Sequence, residues 1–266
     1  MTRSEGRASR IVLNLYVGLF LVYLFAPLAV MSLAAFNAYP YPSVTQWKGF
    51  TLSWFPALFH DERLIQGLVN SIVIALGVIA LSLPFGLAGA LILHRLRSRA
   101  GGFLYALMVS PILVPGLIIG LSTLIFWRRF DVPGGLLLAA FAQSSFIASY
   151  CMLMFLARLE RFDLTLEEAA LDLGASKAMV MRRILFPFLR PTAVTAAAIA
   201  FLQSFENYNT TVFAIGGDWT LVTEVGSRLR FGLSPVVNVV GVVFVALTVT
   251  AATVYVTLRR RELKQA

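Results

Sequence analysis

A chain of 266 residues that is 59% hydrophobic and only 13% charged, with a mean hydropathy of +0.82, lies outside the soluble globular range, where charged residues make up about a quarter. The formal net charge of +9 does not point to nucleic acid, because the basic residues fall in short clusters beside apolar runs, as orientation signals do. The single cysteine, Cys151, excludes an intrachain disulfide and a cysteine-built metal site, and no GxxxxGK(S/T) phosphate loop is present, so ATP-driven work would need another chain.

These features predict an all-α polytopic membrane protein organised as one domain over residues 1–266. Arg3, Arg7 and Arg10 precede an uncharged run over 11–36, too long for the apolar core of a cleavable signal and therefore read as a retained first span, kinked at Pro27. Residues 37–63 are polar and aromatic, with Pro40, Pro42, Trp47, Trp54 and Pro56, and suit an external loop at the bilayer interface. A second span is expected over 66–93, a basic turn over 94–102, and a third span over 103–127. Within the third, Gly116 and Gly120 are spaced for close contact with another helix. The fourth, fifth and sixth spans are placed at 134–157, 192–215 and 236–258, with a charged loop over 158–190 between the fourth and fifth.

Six transmembrane helices put both termini on one side. Arg3, Arg7, Arg10, Arg95, Arg97, Arg99, the basic residues of 158–190 and Arg259, Arg260, Arg261 and Lys264 fall on that side, and outnumber Lys48, Arg63, Arg128, Arg129, Arg228 and Arg230 on the other. The positive-inside rule therefore makes both termini and the charged loop cytoplasmic.

That loop reads as two short helices. Thr165 and Glu168 stand in a capping-box relation, Gly174 suits the left-handed residue that ends a helix, Ser176 can cap the second helix, and Pro187 and Pro191 mark its end. Leu166, Ala169, Ala170 and Leu173 share a small apolar face. Helices this short are unstable alone in water and have to pack on lipid or on a partner protein. The stretch EAALDLGASKAMVMRRILFP resembles the EAA loop of binding-protein-dependent ABC importer permeases: Glu168, Ala169 and Ala170, then Gly174, then Ile184 and Pro187, with Phe186 where the pattern has Leu. The resemblance implies type I ABC importer permease architecture, in which this loop docks in a groove of an ATPase subunit and passes its closure to the spans.

The segments over 47–75, 110–120 and 204–238 are similar to the spermidine/putrescine, or polyamine-type, permeases. The implied partners are two ATPase subunits, a second permease subunit forming a heterodimer, a periplasmic or extracellular solute-binding protein and the lipid bilayer of a bacterial inner membrane, with no nucleic acid. The implied cofactors, ATP and Mg, belong to the ATPase, and this chain would hold none and have no catalytic or metal site of its own.

Glu206 is the only ionisable group in the fifth run, and Asn207, Tyr208 and Asn209 follow it. A carboxylate at membrane depth costs a few kcal/mol unless it faces a polar cavity or a partner, so these four residues are candidates for a pathway that attracts a cation, against a structural hydrogen-bonded pair between helices. The polyamine-type pattern has two adjacent acids where this chain has Glu206 and Asn207. In the following loop Leu221, Val225 and Leu229 recur at helical spacing, with Glu224, Arg228 and Arg230 turned elsewhere, and the resemblance makes this the docking surface for the binding protein. Two other functions fit the residues less well. An enzyme lacks a site, since His60 and His94 fall on opposite sides of the membrane and Cys151 has no nearby base. An ion-gradient-driven secondary transporter of a small cationic solute would need several midplane acids and related halves, and only Glu206 qualifies.

Overall fold

A computed structural model describes residues 3–41, 43, 45–96, 99–231 and 234–265; Pro42 and Arg97, named above, lie outside these. The described elements are α1 (Arg3–Ala34), α2 (Trp54–Phe59), α3 (Glu62–Arg95), α4 (Arg99–Leu113), α5 (Gly116–Arg128), α6 (Leu136–Leu159), α7 (Thr165–Asp172), α8 (Lys177–Val180), α9 (Phe186–Phe205), α10 (Thr211–Ala214), α11 (Leu221–Phe231) and α12 (Val236–Gln265). A π-helical turn, Met181–Leu185, joins α8 to α9. Among the described residues, five helices are long and apolar enough to cross a membrane: Ser9–Ala34, Glu62–Arg95, Leu136–Leu159, Lys177–Phe205 and Val236–Val254. A sixth crossing is reached when Ala100–Leu113 and Gly116–Arg128, bent by 100° on one another, are counted as one.

The chain divides into two compact units. One comprises Met1–Glu62 and Ser227–Ala266. In it α1 packs on α12, with the Met31 thioether against Gly241, in the place a Cβ there would take. Most of α1 is exposed along its apolar length, as expected of a helix that meets lipid. The loop after α1 is built around Asn37. Its carboxamide nitrogen donates to the carbonyls of Ser43 and Gln46, each at 2.8 Å. Its Oδ1 accepts from the amides of Tyr39 and Lys48, each at 3.1 Å, and its own carbonyl accepts from Trp54 Nε1 at 2.9 Å. An antiparallel bridge between Asn37 and Phe50 and the stacking of Phe36 on Phe50 close the loop. In the same unit Arg228 grips Asp61 through two bonds of 2.6 and 2.8 Å.

The other unit, Arg63–Gly226, holds the larger core. α6 and α9 form its centre, with Ile147, Met152, Phe155 and Leu159 of α6 buried together with Leu189, Ala196 and Ala200 of α9. Small residues let the helices approach: a Cβ at Gly86 would lie 2.6 Å from that of Cys151. Arg158 stacks on the Phe188 ring at 4.0 Å and ties the end of α6 to α9.

Two breaks in this unit differ from the sequence expectation. The uncharged run over 103–127 is two helices, because Pro115 disfavours a helical Val114 and has no amide to continue the ladder. Its carbonyl starts α5 by accepting from the amides of Ile118 and Ile119. Conversely, Pro187 and Pro191 do not end the helix that begins at Lys177, which runs on to Phe205. Pro187 follows the π-turn, in which the Phe186 amide reaches back to the Met181 carbonyl, and this changes the register of the carbonyls that its ring would otherwise strike.

Replacing Asn37 by alanine removes the partner of two carbonyls and two amides, and should destabilise the loop by roughly 1–3 kcal/mol. Trypsin cleavage after Lys48 in intact membranes should then accelerate at least several-fold; an unchanged rate would show that the loop does not depend on this side chain.

Candidate functional site: a coupling loop and a polar cavity

In the loop over 158–190, the first helix is capped differently from the expectation. Thr165 and Glu168 form no capping box. Thr165 lies one residue too far into the first turn, and it donates both its amide, at 3.0 Å, and its hydroxyl, at 2.8 Å, to Asp163 Oδ1. These bonds favour the charged form and hold the Asp163 carboxyl below its ordinary range. The far end agrees with the sequence reading: Gly174 has φ +85°, the Ala175 amide bonds the Ala170 carbonyl, and the Gly174 amide bonds that of Leu171, a Schellman motif. Ser176 Oγ then accepts from the Met179 amide and caps α8.

No residue of α7 is buried. Leu166, Ala169 and Leu173 are exposed, Leu173 by 89%, so the apolar face points away from the rest of the unit. Glu168, Gly174 and Pro187 are exposed as well, while Ala170 and Ile184 are half-buried. An ion pair, Arg95 to Glu167 at 3.4 Å, ties α7 to the end of α3.

The second site lies where α9 ends. Glu206 is the C-cap of that helix, and the chain makes an irregular turn before α10 begins at Thr211. Glu206, Asn207, Tyr208 and Asn209 all line one cavity of about 310 Å³, together with Gln203, Thr210, Tyr150, Phe146 and residues of the α4–α5 bend, Pro111 to Gly116. The carboxylate therefore lies not within an unbroken span but at its broken end, exposed to the cavity. Among the described residues, no Lys or Arg lines the cavity. The carbonyl end of α9 adds partial negative charge to that of Glu206, so both favour a cation here.

Gly116 and Gly120 face this turn, in place of the regular helix that their spacing suggests. A Cβ at Gly116 would lie 2.8 Å from Thr210 Oγ1, and one at Gly120 would collide with the Thr210 carbonyl. The turn is held on its other side by Gln143 of α6, a residue the sequence reading passed over although it is a polar side chain in an apolar run. Its Oε1 accepts from Ser204 Oγ at 2.5 Å and its Nε2 donates to Thr211 Oγ1 at 2.7 Å.

The α11 helix also departs from expectation. Glu224 is turned inward and is only 5% exposed, whereas Leu229 is 61% exposed. The cause is Arg63, which donates to Glu224 Oε2 at 3.0 and 3.1 Å and stacks on Trp219 at 4.2 Å, so the acid is paired where it is buried.

Comparison with known proteins agrees with the fold and shows the family. Residues 82–264 match the family described as binding-protein-dependent transport system inner membrane component. The spermidine/putrescine transport system permease protein PotC of Haemophilus influenzae is 27% identical over 240 residues, 88% of this chain and 91% of that one. The putrescine transport system permease protein PotI of Escherichia coli is 28% identical over 224 residues, 81% of this chain and 79% of that one. Among solved structures, a bacterial ABC transporter involved in import of the acidic polysaccharide alginate superposes with TM-score 0.70 at 18% identity, covering 98% of both chains. The MetNI methionine ABC transporter superposes with TM-score 0.60 at 19% identity, covering 75% of this chain and 94% of that one. An all-helical chain with these spans, this loop and a family match over most of its length belongs to the binding-protein-dependent transport system inner membrane components, the permease subunits of ABC importers.

Proposed function

We propose that this permease forms half of a translocation pathway for a polyamine or a related small amine, with Glu206 drawing the cation into the pathway and Asn207, Tyr208 and Asn209 lining its route. The observation that carries this reading is the placement of Glu206 at the carbonyl end of α9, in a cavity whose wall, among the described residues, holds no lysine or arginine. Two unit charges about 5 Å apart attract by roughly 3 kcal/mol at an effective dielectric constant near 20, enough to favour an ammonium over a neutral solute. The names of the relatives, which specify spermidine and putrescine for those proteins, support the same substrate class.

The loop over 158–190 is the surface on which ATP hydrolysis acts. Its exposed helix α7, its left-handed turn at Gly174 and the outward apolar residues Leu166 and Leu173 fit a groove on a partner protein better than a lipid surface, which would call for basic residues around a larger apolar face. In this reading Glu168, Ala169, Ala170, Gly174, Ile184 and Pro187 form the coupling loop. Two ATPase subunits bind ATP and Mg, a second and different permease completes the pathway, and a solute-binding protein delivers the substrate. The chain lies in a bacterial inner membrane with both termini and the loop in the cytoplasm, as the distribution of Lys and Arg favours.

Glu206→Gln should lower uptake of a cationic substrate about tenfold or more, corresponding to at least about 1.4 kcal/mol at the barrier. Transport of labelled putrescine and spermidine by the whole transporter measures it, and unchanged uptake kinetics would leave only a structural role for the carboxylate. In the loop, Gly174→Asp forces a branched side chain onto φ +85°, and Glu168→Lys reverses charge on an exposed face of α7. Each should abolish uptake and substrate-stimulated ATP hydrolysis while the complex still inserts in the membrane. Retained transport in both would remove the coupling assignment.

A further inference from the structure

Gln143 is the polar side chain that the pathway reading leaves unused. It sits in the first half of α6, is 0% exposed and is not among the residues that line the cavity. A carboxamide buried in an apolar helix pair costs free energy unless both of its ends are bonded. Both are, and to opposite sides of one break. Ser204, in the last turn of α9, donates its hydroxyl to Gln143 Oε1 at 2.5 Å; Thr211, the first residue of α10, accepts from Gln143 Nε2 at 2.7 Å. The Thr211 hydroxyl itself donates to the Asn207 carbonyl at 2.5 Å, in the turn that follows α9. Asn207 Oδ1 in turn accepts from the Thr210 amide at 3.0 Å. A side chain serving only as glue between two helices would bond within regular helix, whereas these partners bracket the point where helix stops.

We propose that Gln143 is a positioning residue: by spanning from Ser204 to Thr211 it fixes the length and path of the turn over 206–210, and thereby the place in the cavity at which Glu206, Asn207, Tyr208 and Asn209 are presented. From the opposite side the Thr210 carbonyl rests on Gly120, so the turn is held between α6 and α5 and cannot relax toward either. Its effect on transport rests on the reading of the cavity as a pathway; its effect on the turn does not.

The test uses the full transporter in proteoliposomes, with Gln143→Met, Ser204→Ala and Thr211→Val introduced singly and Gln143→Met combined with Thr211→Val. Two quantities are read: the rate at which Asn209→Cys reacts with a cationic methanethiosulfonate reagent, and the maximal rate of putrescine uptake. Each single variant should change the labelling rate about fivefold or more and lower uptake about tenfold, at a membrane content within about twofold of the parent; the double variant should be no worse than Gln143→Met alone, because all act through one bridge. Should Gln143→Met fail to accumulate, the two smaller truncations carry the same test. Unchanged labelling at position 209 in variants that accumulate normally, or effects that multiply in the double variant, would overturn the proposal. Altered labelling alongside full uptake in Glu206→Gln would uphold the positioning role and overturn the pathway reading instead.

Discussion

In the interior of a bilayer no water is available to bond a free backbone amide or carbonyl, so a spanning chain can depart from helix only where its own groups fill the gap. Each departure in this permease shows how that is done. Pro111 removes the amide that would bond the Leu107 carbonyl, and Ser110 Oγ donates to that carbonyl at 2.8 Å. Ser149 of α6 reaches the next carbonyl, that of Met108, at 2.6 Å, so the end of α4 is supported from a neighbouring helix. At Met181–Leu185 the ladder widens to π spacing and the Phe186 amide finds Met181 instead. At the end of α9, the Thr211 hydroxyl, held by Gln143, bonds the Asn207 carbonyl of the turn. Side chains that look like isolated polar intrusions in apolar runs are thus the groups that make non-helical backbone tolerable at those points.

The same constraint explains why the cavity lies where it does. The bend at Val114–Pro115 and the turn after Phe205 are both irregular, and residues from both line the one space of about 310 Å³. Regular helices packed side by side leave little room, since protein interiors are close-packed. Two breaks facing each other open room, and they expose backbone as well as side chains to it. The glycines at 116 and 120 are required on this ground, because Thr210 occupies the volume that a side chain there would need.

Much of the architecture was legible in the residues. Apolar run length gave the helices, and the left-handed turn at Gly174 and the cap at Ser176 are local rules obeyed locally. Local rules failed where a longer-range or neighbouring effect outweighed them. Pro187 reads as a stop, yet a π-turn just before it lets the helix continue; Thr165 reads as a cap, yet Asp163 two residues earlier takes the role. Glu224 reads as an exposed charge on the polar side of α11, and is buried because Arg63, 161 positions away in sequence, pairs with it. Likewise Gln143 is 61 positions from Ser204 and 68 from Thr211, and nothing in a single sequence announces such pairs.

The helix that ignores its prolines has a mechanical consequence. Lys177–Phe205 is continuous over 29 residues, about 43 Å at a rise of 1.5 Å per residue. One end begins at the Ser176 cap, directly after the Gly174 turn of the loop; the other ends at Glu206 in the cavity. Had Pro187 ended the helix, displacement of the loop would be absorbed in a flexible joint. As a single rod, held to α6 by Arg158 on Phe188 part-way along and by Gln143 on Ser204 at the cavity end, it cannot shift at the loop without moving either α6 with it or the turn that presents Glu206. On the proposed reading, the same element that receives the ATPase movement therefore carries the carboxylate, and the π-turn is the feature that keeps the two connected.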